Sequence, residues 1–180
     1  MHPIVLAGLA KVDLAPFRGT EATLDLMAKY ATGDEGERSH YVRNWTEGIV
    51  RRIAPKDYLS EILALRSWAT GNQIRYTNDA RHVEQVRTPL RSLAEIEQTG
   101  IAALDCDDIA TLLAAMYLQI GREVEFIVVG FKESGNFSHV FVRVREPKTG
   151  KWIVCDPVAG ANEAQMLSRV TTWKNRSLDV

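Results

Sequence analysis

Residues 106 to 120 constrain this chain more than any other stretch. Ile109, Ala110, Leu112, Leu113, Ala114, Ala115, Met116, Tyr117, Leu118 and Ile120 leave almost no polar face, and a helix that is apolar all round has to be enclosed by other elements. The fold must therefore place at least two layers around this segment. Gly121 supplies its C-terminal stop. Its other end does not read as core, because Asp105-Cys106-Asp107-Asp108 sets one thiol among three acids at the helix N-terminus.

The chain of 180 residues is long enough for one domain with a sizeable core, and 46% hydrophobic content argues against disorder. With 22 basic and 23 acidic residues, net charge -1 and a pI near 6.4, it shows no nucleic-acid or anionic-membrane footprint. No apolar run reaches the roughly 18 residues of a membrane span. Two cysteines, and a start at Met1-His2-Pro3 without a basic leader, make the reducing cytoplasm the expected compartment.

Apolar spacings of three and four predict helices from Thr20 to Gly33, from Ser39 to Arg52 and from Asp57 to Asn72. An extended piece, Ile74 to Thr77, then leads through a polar loop, Asn78 to Arg87, to a short helix, Leu90 to Ile96. Beyond the cysteine helix, Glu123 to Phe131, Phe137 to Arg145 and Lys151 to Asp156 read as strands whose short connections imply an antiparallel meander. The expected organisation is a helical extension over 1–56, a core over 57–158 and a mainly irregular tail over 159–180. With a period of two, His139 shares a face with Phe141 and Arg143, and Asp156 points away from Cys155.

Cys106, His139 and Asp156 are the candidate nucleophile, base and orienting acid of a triad. Only a thiolate attacks a carbonyl, and a free thiol has a pKa of about 8.5. The helix dipole is worth about 0.3 to 1 kcal/mol, and each acid at about 7 Å opposes a thiolate by a similar amount, so the helix alone does not activate Cys106. An imidazolium about 4 Å away contributes roughly 4 kcal/mol, which outweighs the acids. Each residue also has a plainer reading: a core cysteine, a structural strand histidine, a turn aspartate before Pro157. Asp107 and Asp108 read as first-turn acids favoured by the dipole, Cys155 as a core residue, and Trp45, Trp68 and Trp152 as core aromatics. Tyr76 and Gln98 both remain open as the second oxyanion donor beside the Cys106 N–H. A Cys106–Cys155 disulfide is disfavoured by the compartment, and a zinc site at Cys106 and His139 by the absence of ligand spacing.

Three ordered motifs resemble the transglutaminase-like superfamily of cysteine proteases and transglutaminases: Asp105-Cys106-Asp107-Asp108-Ile109-Ala110, His139-Val140-Phe141-Val142 and Trp152-Ile153-Val154-Cys155-Asp156-Pro157. Ile74-Arg75-Tyr76-Thr77-Asn78-Asp79 and Thr88-Pro89 look like further landmarks, and Leu104 stands where the family usually has glycine. The resemblance implies an α+β, papain-like cysteine-proteinase fold in which N-terminal helices and the nucleophile helix pack on a small antiparallel sheet. It implies Cys106, His139 and Asp156 as catalytic residues, and its flavour is that of phage and prophage proteins. The expected activity is a peptidase or amidase working on peptide or protein amides through a thioester, with no cofactor or metal and no calcium-loop pattern. Transamidation is the other acyl-transfer outcome. The alternative is an idle fold kept as an assembly or binding module.

Overall fold

The apolar segment forms the helix Cys106–Gln119, and every residue from Asp107 to Leu118 is buried, as its composition demands. The computed structural model describes residues 9–12, 18–78, 84–132 and 136–178. Its elements run β1 (Leu9–Val12), α1 (Arg18–Thr32), α2 (His40–Val50), α3 (Tyr58–Ala69), β2 (Ile74–Tyr76), β3 (Glu84–Arg87), α4 (Pro89–Thr99) and β4 (Ala102–Leu104). There follow α5 (Cys106–Gln119), β5 (Val124–Gly130), β6 (His139–Arg145), β7 (Trp152–Cys155), α6 (Glu163–Leu167) and β8 (Thr172–Leu178). Helices α1 to α4 surround α5 on one side, and a four-stranded antiparallel sheet, ordered β7-β6-β5-β8, closes the other.

Four helices begin by the same device, a side-chain oxygen accepting a backbone N–H three residues on. Ser39, Asp57, Thr88 and Asp105 accept from Val42, Ser60, Arg91 and Asp108 at 3.3 to 3.5 Å. Each such cap is worth about 0.5 to 2 kcal/mol because it satisfies a donor that the helix cannot. Gly100 and Gly121, at φ of 84° and 68°, end α4 and α5 in the left-handed region, where a side chain is costly.

The sheet divides its side chains by the period of two. Phe126, Val128, Val140, Val142, Val144 and Cys155 join α5 in the main core. On the reverse face Ile127, Val129 and Phe141 form a second cluster with Val154, Met166 and Val170. Because both faces are covered, all seven residues of β5 are buried. Two small pairs complete the structure: β1 with β3, antiparallel, and β2 with β4, parallel, with Tyr76 opposite Leu104.

The structure departs from the sequence reading at several points. The irregular tail contains α6 and β8, and β8 pairs with β5 along its whole length, setting Trp173 opposite Val129. Its single buried residue is Leu178, so its pattern carries no apolar period. The loop expected over 78–87 ends in β3, while 79–83, including Asp79, lie outside the described residues. Ahead of the helices Leu9–Val12 is a strand, and 1–8 and 13–17 lie outside the described residues. Thr20, where the first helix was expected to begin, lies inside α1, and α4 runs three residues beyond Ile96. Trp152 is not core: it is exposed, with the Arg143 guanidinium 4.7 Å from its ring centre. No helix among the described residues is long and apolar enough to cross a membrane.

Candidate active site

Cys106 is the first residue of α5 and is half-buried against the main core. Asp105 before it is the helix cap. Asp108 is buried and accepts the backbone N–H of Arg87 at 2.7 Å, while the Arg87 guanidinium approaches its other oxygen at 3.3 Å. Arg87 also pairs with Glu95 at 2.7 Å. One of the three acids is thus offset by a cation, and the negative field opposing a Cys106 thiolate is weaker than a simple count of acids implies. Ligand atoms of Asp105, Asp107 and Asp108 come within 4.8 Å of one another, a spacing that suits a metal ion. The Asp105 and Asp108 oxygens already serve the cap and Arg87, and neither Cys106 nor His139 belongs to this group.

Leu104, which stands where the resembled motif has glycine, is fully buried in β4. Its φ is not positive, since Lys56 is the one non-glycine residue with positive φ among those described. The entry to the helix therefore makes no demand that only glycine meets.

His139 opens β6 and Asp156 follows β7. The register of these strands pairs Val142 with Cys155, and continuing it sets Asp156 opposite Phe141 on the histidine's face. The two residues are diagonal neighbours rather than side by side, and the Asp156 carboxylate reaches across to place Oδ2 2.7 Å from His139 Nε2. Asp156 is 1% exposed, and its Oδ1 accepts the N–H groups of Val158 at 3.0 Å and Ala159 at 3.2 Å. A carboxylate held by three bonds fixes the ring that donates to it. A neutral ring donates to Asp156 from Nε2, which is the tautomer without a proton on Nδ1.

Tyr76 connects the two halves of the site. The β2–β4 pairing, extended by a 2.9 Å bond from the Thr77 N–H to the Leu104 carbonyl, carries it beside the Asp105-Cys106 turn. Burial, and then the nearby charges of Cys106, Asp105, Asp107 and Asp156, push its hydroxyl up to about 12, so it remains a proton donor at any physiological pH. It donates to Asn78 Oδ1 at 2.9 Å. Gln98, the other candidate, is exposed on the last turn of α4.

Cys155, one residue before Asp156, faces the opposite way into the core. Burial pushes its thiol up to about 11. It forms no disulfide with Cys106. Behind Asp156, Glu163 of α6 pairs with Arg66 of α3 at 2.7 Å, and burial raises the Glu163 carboxyl.

No family model matches the chain, and no curated protein matches it by sequence. Among solved structures it is similar to a crystal structure described as a "putative cysteine protease" from Cytophaga hutchinsonii. The TM-score is 0.53 and the identity 15%, over 96% of this chain. The fold is papain-like. This chain spans 64% of the length of that structure. The α+β arrangement expected from the motifs, helices packed with a small antiparallel sheet, is the one observed.

Proposed function

We propose that this chain is a transglutaminase-like cysteine acyl-transfer enzyme acting as a peptidase or amidase. The observation that carries the reading is the 2.7 Å contact between His139 Nε2 and the buried Asp156 carboxylate, in a chain whose α5 begins with a thiol. His139 Nδ1 takes the Cys106 proton, and the resulting thiolate attacks the carbonyl carbon of the substrate amide. The oxyanion that forms accepts from the Cys106 backbone N–H and from the Tyr76 hydroxyl, which turns to it from Asn78. The C–N bond breaks as Nδ1–H protonates the leaving amine, leaving a thioester on Cys106. Water, deprotonated by Nδ1, then attacks the thioester, and the acid leaves as the thiol is restored. Tyr76 is 44% exposed, so solvent water reaches this edge of the site as an acceptor.

The rival reading is an idle assembly or binding module of phage type, for which Leu104 at the place of the motif's glycine speaks; the ordinary φ of this buried strand residue speaks for the acyl-transfer reading.

The test is alkylation by iodoacetamide at pH 6, read by peptide mapping. Cys106 is expected to react at pH 6 far faster than an ordinary thiol and to slow at least about tenfold in His139→Ala, while Cys155, raised and buried, serves as the unreactive control. Slow labelling of Cys106 that is unchanged in His139→Ala would remove the enzymatic reading.

A further inference from the structure

On the reverse face of the sheet, below the α6 segment, lies a cleft of about 250 Å³. Val129, Phe141 and Arg143 lie on the sheet, with Val154 beside them, and Leu167, Val170 and Trp173 form other walls. The register runs His139 opposite Val129 and Val129 opposite Trp173, so one row of side chains crosses β6, β5 and β8 on a single face. At the usual strand spacing Trp173 stands about 10 Å from His139. Phe141, next along that face, has its ring 5.9 Å from the imidazole. The cleft is therefore a continuation of the surface that holds the base.

Its character is apolar and open. Trp173 is 59% exposed and Leu167 38%, two large apolar side chains left uncovered on walls of one cleft. Its volume falls below the roughly 300 to 1,000 Å³ of small-molecule sites and suits one large side chain. The cation on its wall, Arg143, is engaged by Glu125 at 2.5 Å and by the Trp152 ring, so the cleft offers no uncompensated charge to an acidic group. An extended peptide advances about 3.3 to 3.6 Å per residue, which brings the cleft within three residues of a carbonyl reacting beside His139.

We propose that this cleft is a substrate subsite that seats a large aromatic or aliphatic side chain of a polypeptide, within three residues of the reacting carbonyl. The proposal rests on the acyl-transfer reading for its chemistry, while the recognition step can be measured without it.

The experiment titrates the Cys106→Ala protein with acetyl-Gly-Phe-Gly-amide and with acetyl-Gly-Gly-Gly-amide, following amide and indole ¹H–¹⁵N signals. The Trp173 indole is assigned by its loss in Cys106→Ala/Trp173→Ala. The phenylalanine peptide is expected to shift that indole and to bind at least about tenfold more tightly than the glycine peptide, the gain from burying one aromatic side chain. That preference is expected to fall severalfold in the Trp173→Ala and Leu167→Ala backgrounds, which alter exposed positions. In the Cys106-containing protein, saturating phenylalanine peptide is expected to slow alkylation of Cys106 severalfold. Equal affinities for the two peptides, or a preference untouched by both variants, would overturn the proposal. So would tight binding that leaves Cys106 alkylation unchanged, because the cleft would then be separate from the site. Slow, His139-independent alkylation together with Trp173-dependent binding would remove the enzymatic reading and uphold the cleft as the peptide site.

Discussion

Replacing Asp156 by asparagine separates orientation from folding. Asparagine keeps an oxygen for the Val158 and Ala159 N–H groups, so the turn after β7 is expected to survive. What it loses is the negative charge 2.7 Å from Nε2, and its NH₂ turned toward the ring favours the tautomer with the proton on Nδ1. At an effective dielectric of about 20 to 40, an imidazolium and a carboxylate at that distance attract by about 3 to 6 kcal/mol. The assay is the pH dependence of Cys106 alkylation in both proteins, with a thermal melt as the control for folding. A rate at one pH misleads, since nucleophilicity falls as the thiol pKa falls, with a Brønsted slope of about 0.4 to 0.5. The inflection does not suffer from this. The wild type is expected to titrate well below pH 7, and Asp156→Asn to titrate higher, toward the free-thiol value of about 8.5. An inflection unmoved in a folded Asp156→Asn protein would refute the assignment of Asp156 as the orienting acid.

Other expectations concern stability. Placing glycine at the position in Leu104→Gly removes a fully buried side chain, so it is expected to cost about 3 to 5 kcal/mol in a urea melt without quickening Cys106 alkylation. Asp108→Ala strands the Arg87 N–H and is expected to cost about 2 to 4 kcal/mol, whereas Asp108→Asn keeps that acceptor and is expected to cost less than half as much. A Cβ at Gly36 would lie 2.1 Å from the Tyr30 carbonyl oxygen, so Gly36→Ala is expected to lower the melting temperature by more than an ordinary surface substitution does. The Cys155 thiol sits at about 11 when folded and titrates near 9 when unfolded. Between those values the native state holds the proton that the unfolded state has released, so this contribution to stability is intact below about pH 9 and falls as pH rises toward 11. Cys155→Ala is expected to flatten that alkaline decline in melts taken from pH 8 to 11.

The legible parts of this chain are those whose burial is periodic. α5 is apolar on every face because it is wrapped on every face, and β6 alternates because its two faces meet different cores. His139 and Asp156 were readable for the same reason, since period two put them on one side of adjacent strands. Their diagonal offset was not, because it depends on where the β6–β7 ladder starts, which the turn at 146–150 sets. β4 has three residues and β3 four, too few to show a period, yet β4 carries Leu104 and aligns Tyr76 with the cysteine turn. β8 was hidden because an edge strand with polar residues facing water resembles a loop until its partner is known.

That hidden strand sets the order in which the sheet is finished. β5 and β6 are neighbours in the chain and can close as a hairpin soon after both have been synthesised, but the other edge of β5 waits for β8, roughly 40 residues later. At about 5 to 20 residues per second the delay is on the order of 2 to 8 s, during which Val124-Glu125-Phe126-Ile127-Val128-Val129-Gly130 presents an unpaired apolar edge. Such an edge is a template for another nascent chain of the same kind. The strand that contributes Trp173 is thus also the one that ends the chain's exposure to its own neighbours on a polysome, and slowing its arrival is expected to cost soluble yield before it costs anything in the finished molecule.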